Sequence, residues 1–139
     1  MRKWITAGVV AAFIAAPVNK PTLAASVMAT GIDYSDFDDA LMRDMDDAIK
    51  ELDSNVGGQD ADASLANVKV LREGLAWAEK YFAAKPETPK GAGLAREGQE
   101  HLALVTQSIE ARDFDAASNA VRGVVRSCKA CHEAYKPPE

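Results

Sequence analysis

The chain has 139 residues, 27% of them charged and 47% hydrophobic, with a formal net charge of −5. That length supplies one compact domain and no more. The acidic balance disfavours nucleic acid and anionic lipid as partners and favours a protein with a basic docking surface.

The first residues read as an export signal. Arg2 and Lys3 form a short basic start, Trp4 to Ala16 is an uncharged apolar run, and Pro17 to Ala25 is a breaker segment ending in small residues. This three-part pattern is that of a secretory signal, with cleavage expected after Ala25. The apolar run of 13 residues falls short of the roughly 20 that span a bilayer. Asn19 and Lys20 argue against a retained anchor, so no stable membrane insertion is expected. Export of this kind implies a bacterial periplasm, with residues 26–139 as a single domain. Arg2, Lys3 and Lys20 leave with the signal, so 13 basic residues remain against 21 acidic ones, a net −8.

Four helical stretches follow in chain order. The first is expected over about Asp36 to Asp53, where Asp38, Met42, Met45, Ile49, Leu52 and Val56 recur in steps of four and three, all apolar but Asp38. Gly57-Gly58 ends it. The second spans about Asp62 to Ala84, with Leu65, Val68, Leu71, Leu75, Ala78 and Phe82 on one seam and Val70, Trp77 and Tyr81 widening it. Pro86 and Pro89 break the chain, and Thr88 stands as an N-cap ahead of Pro89.

The third helix, about Gly91 to Ala111, keeps its period through Leu94, Leu102, Val105 and Ile109. Gly91, Gly93 and Gly98 lower its propensity; they permit close approach of a neighbour or leave a loosely ordered first turn. Asp113 is placed to cap the fourth helix. There Phe114, Ala117, Val121, Val124, Cys128, Cys131 and Tyr135 share a seam, and Pro137 and Pro138 end it. Nothing alternates with period two, so strands are not expected. Four helices near 30 Å long on short loops predict an all-α, antiparallel up-down four-helix bundle.

Chemistry concentrates in Cys128-Lys129-Ala130-Cys131-His132. Cys-x-x-Cys-His is the attachment motif of a c-type haem. Inside a helix, positions i, i+3 and i+4 share a face. Both thiols then reach haem vinyl groups as thioethers, and His132 approaches the iron as proximal ligand. A structural zinc site needs four ligands, and His101, far along the chain, is the only other histidine or cysteine. A thioredoxin-type pair belongs at a strand-to-helix junction that this pattern lacks. A disulfide across three residues of a helix is strained.

The mature chain resembles the class II cytochromes c, the cytochrome c′ and cytochrome c556 family of four-helix-bundle monohaem proteins with the haem motif near the end of the last helix. The run Cys128-Lys129-Ala130-Cys131-His132-Glu133-Ala134-Tyr135-Lys136 is similar to the family's C-terminal motif, with Lys136 where the family generally has Arg. The resemblance implies one covalent haem c, no substrate turned over, and a function that depends on the sixth iron position. A methionine on the first helix implies an electron carrier; an apolar residue there implies five-coordinate iron that binds NO or CO. Met42 falls nearest that distal position and Met45 is second, although a methionine on an apolar stripe is also ordinary core filler. Thioether with imidazole suits an electron carrier. Family members often pair as antiparallel dimers, so a homodimer is compatible with the resemblance. His101 reads as a partly exposed surface residue. Trp77, Tyr81, Phe82 and Tyr135 read as core and haem-packing groups, and the acidic first helix as a solvated face or a docking patch for a basic redox partner.

Overall fold

The computed structural model describes residues 32–136. The export signal read at residues 1–25 and the prolines at 137 and 138 lie outside the described residues. Four helices follow in order: α1 (Asp39–Gly57), α2 (Ala61–Ala83), α3 (Gly91–Glu110) and α4 (Phe114–Tyr135). Among the described residues there is no strand, and no helix is long and apolar enough to cross a membrane.

Aspartates start three of the helices. Asp38, Asp60 and Asp113 each accept a hydrogen bond from the backbone N–H three residues on, at 2.9, 3.0 and 2.9 Å. Each satisfies a donor that the first turn leaves open. The role of Asp113 is as expected from its position. Asp38 is a correction, because it ends the non-helical entry and is no member of the α1 stripe. α1 therefore starts at Asp39 rather than Asp36 and continues to Gly57. Thr88 is a second correction. Its hydroxyl donates to the carbonyls of Phe82 and Lys85, at 3.1 and 2.9 Å, and α3 has no side-chain cap. Its own N–H is bonded to Lys85, so the chain completes a further turn before α3 begins.

Packing follows chain order. Each helix lies against its neighbours in sequence, α1 closes the ring on α4, and the diagonal pairs barely touch. Cross-helix contacts set the directions. Asn55 near the end of α1 bonds Asn67 near the start of α2 at 2.8 Å, while Phe37 ahead of α1 meets Trp77 near the end of α2. Glu79 and Arg96 join α2 to α3 at 2.9 Å, and the Lys90 N–H donates to the Tyr135 hydroxyl at 3.0 Å. All neighbours are antiparallel, and the molecule is an up-down four-helix bundle.

The core holds Leu52, Leu71, Leu102, Val105, Val121 and Val124, each at most 1% exposed. Burying such a side chain stabilises by roughly 1.5–3 kcal/mol. Val70 departs from expectation. It is 38% exposed, because its position on α2 falls about 200° around the helix from Val68, well off the buried face. α3 draws close to its neighbours at glycines. A methyl group at Gly91 would run into the Cβ and ring of Phe82, and one at Gly98 into Leu75, whereas Gly93 has open space. Gly91→Ala should therefore lower stability by about 1–3 kcal/mol through overpacking. Gly93→Ala should raise it by about 0.5–1 kcal/mol through helix propensity. Chemical denaturation of the two variants reads both signs, and equal effects would rule out this account of α3.

Candidate functional site

α4 changes character along its length. Its seam residues Ala117, Val121 and Val124 are 0–1% exposed, yet Cys128, Cys131 and Tyr135 on the same seam are only half-buried. The bundle is sealed in its first half and opens where the Cys-x-x-Cys-His run sits. α1 and α4 are also the most lightly packed pair of neighbours in the ring. Between them lies a cleft of about 420 Å³, lined by Asp46 and Ile49 from α1 and by Val125, Cys128, Lys129, His132 and Glu133 from α4. A larger hollow of about 560 Å³ at the far end of the bundle is lined by Gln59 and residues 111–115 and holds none of the expected site residues.

Both cysteines are free thiols. Burial pushes each thiol up, Cys131 to about 11, with Cys128 beside it adding to the shift. They are therefore neutral at ordinary pH and sit in an apolar setting. His132 is exposed and faces the cleft from one turn beyond Cys128. Among the described residues, no group of three or more His, Cys, Asp or Glu side chains is placed to hold a metal ion.

The two methionines of α1 part company. Met42, Asp46 and Ile49 are spaced by four and three, so half-buried Met42 shares the helix face of the two cleft residues of α1, one turn before Asp46, without itself lining the cleft. Met45 is 5% exposed. Its sulfur packs against Gly74 of α2, filling the space where a side chain at position 74 would go. His101 is half-buried and its ring fills the equivalent hollow over Gly123, on the α3–α4 side of the bundle and outside the cleft.

Sequence reasoning missed the segment before α1. Phe37 touches the rings of Trp77, Tyr81 and Phe82, with centroids 5.3, 5.0 and 6.3 Å away. Phe82 in turn meets Tyr135 at 5.2 Å, so an aromatic cluster caps the end of the bundle that carries Cys131. Lys85 fastens the segment, donating to the Asp33 carbonyl at 2.8 Å and to the Asp36 carboxylate at 3.1 Å. The Tyr81 hydroxyl donates to the same carboxylate at 2.9 Å. The available signal was the capping pattern itself. With Asp38 as N-cap, Phe37 and Met42 occupy the two positions of a hydrophobic staple.

Hydrogen bonds from Lys85 and then Tyr81 hold the Asp36 carboxyl below the usual carboxylate range. A depressed folded-state pKa means that the clasp is complete above that range and is lost as pH falls through the folded value. The Tyr81 ring resonances should therefore show an acid-limb transition below the usual carboxylate range in an NMR titration. Asp36→Asn should abolish it, and persistence of the transition would assign it to another group.

Comparison with family models, with curated proteins and with solved structures finds no match.

Proposed function

We propose that this protein is a periplasmic monohaem c-type cytochrome of the class II kind that passes single electrons and turns over no substrate. One observation carries the reading: the bundle's apolar seam opens where Cys128, Cys131 and His132 share a helix face, beside a cleft walled by α1. The donor set fits the group. Two apolar, half-buried thiols suit thioether bonds to the vinyl carbons, and an exposed imidazole at the cleft suits an axial ligand.

In this reading Cys128 and Cys131 would anchor haem c, and His132 would bind its iron. Met42 of α1 would supply a thioether ligand to the same iron. The cleft stripe favours Met42 over Met45, whose sulfur is taken up in packing on Gly74. When bound, the haem would supply reversible one-electron Fe(II)/Fe(III) chemistry. The aromatic cluster of Phe37, Trp77, Tyr81, Phe82 and Tyr135 would restrict water at that end, and burial of this kind tunes a haem potential.

Denatured material from a periplasmic expression host should keep a protein-plus-haem mass. Its native ferric spectrum should be low-spin with a methionine–iron charge-transfer band. Absence of the haem mass would defeat the proposal. A high-spin spectrum would instead point to the gas-binding alternative, a five-coordinate cytochrome c′ that takes NO or CO at its open face.

A further inference from the structure

Charge along this bundle runs against its total. Residues 33–57 carry nine acidic side chains and two basic ones, whereas residues 114–136 carry four basic and two acidic. Those four cations are not scattered. Arg122, Arg126, Lys129 and Lys136 recur in steps of four, three and seven along α4, a single face interrupted by Glu133. Arg122, Arg126 and Lys129 are exposed. Glu133 stands 3.7 Å from Lys129 and offsets one charge. Arg126 forms no ion pair among the described residues.

This face borders the cleft directly. Val125 is 45% exposed and lies one residue from Arg126, between the cationic line and His132. An exposed apolar side chain flanked on one side by like charges is the composition of a small docking patch, apolar at its centre and charged along its rim. On the opposite wall Asp46 is paired with Lys50 at 2.5 Å, which mutes its field at the cleft mouth.

We infer that the outer face of α4, with Arg122, Arg126 and Lys129 around Val125, docks a protein partner that presents an acidic surface. Charges more than about 8 Å away are largely screened at physiological ionic strength. The local cations then govern contact, although the mature chain is net negative. This reverses the expectation of a basic partner drawn from net charge alone. As a route for electrons the inference rests on the haem proposal; as a binding surface it does not.

The reduced, haem-loaded protein can be mixed with ferricyanide, a trianion that takes one electron and leaves as ferrocyanide. The oxidation rate should fall as ionic strength rises from about 10 mM to about 150 mM. The charge reversal Arg122→Glu/Arg126→Glu/Lys129→Glu, on exposed positions, should invert that trend. A wild-type rate that rises with salt, or a slope that the reversal leaves unchanged, would overturn the inference. Should the exported chain carry no haem, the haem proposal fails and retention on immobilised polyglutamate decides this one. Retention that the triple reversal abolishes supports the surface. No retention, or equal binding to phosphatidylglycerol vesicles, refutes an acidic protein as its partner.

Discussion

Replacing both Cys128 and Cys131 with serine should abolish every trace of haem that survives denaturation, while leaving the four helices intact. Each thiol is half-buried on the α4 seam, and serine is close to isosteric with cysteine. The buried residues of that seam, Ala117, Val121 and Val124, lie upstream of both. The helices therefore do not depend on either sulfur, and circular dichroism should report unchanged helix content. Mass spectrometry of denatured periplasmic material should show the polypeptide mass alone. Cys128→Ser and Cys131→Ser singly should each leave one thioether, and with it a haem more easily displaced. If the double variant keeps a haem-sized adduct, the attachment chemistry lies elsewhere and the assignment of Cys128 and Cys131 is wrong.

The second large effect separates ligand from core filler. Met42→Ala should remove the methionine–iron charge-transfer band and let the ferrous protein bind CO, with little change in stability because Met42 is only half-buried. Met45→Ala should do the reverse. Met45 is 5% exposed, with its sulfur against Gly74, and truncating a buried methionine costs about 2–5 kcal/mol. The band should survive that change while the denaturation midpoint falls. The opposite pattern, CO binding in Met45→Ala alone, would mean that α1 presents a face one turn from the one described.

Those expectations rest on parts of the molecule that differ in how far the chain announces them. The helices were legible because apolar residues at steps of three and four leave no other way to bury a face, and steps of this kind run unbroken from Met42 to Val56 and from Phe114 to Tyr135. Boundaries were less so. Asp38 lies on the extrapolated stripe of α1, which predicts a helical residue, but a carboxylate one turn before an apolar run serves the first-turn N–H groups better than it serves a core. Thr88 misled in the opposite way. Its place before Pro89 suggests a cap, yet burial at 1% exposure leaves its hydroxyl to satisfy carbonyls of the preceding turn. The glycines of α3 left two readings open, and only the positions of Phe82 and Leu75 chose between them.

The same division runs through the candidate site. Cys128, Cys131 and His132 share a helix face on spacing alone, because i, i+3 and i+4 neighbours are a property of any α-helix. The all-α class is legible for the same reason: periodicity is local. What a face meets is not local. Packing alone reveals that the α4 seam opens at Cys128, that Met45 lies against Gly74, and that Phe37 closes the aromatic end of the bundle. Those outcomes depend on helix rotation and register, which are set by shape complementarity between side chains far apart in the chain. The cationic line of α4 and its place beside Val125 and His132 are written in the residue spacing, but that this face borders a cleft emerges only when α1 packs against α4.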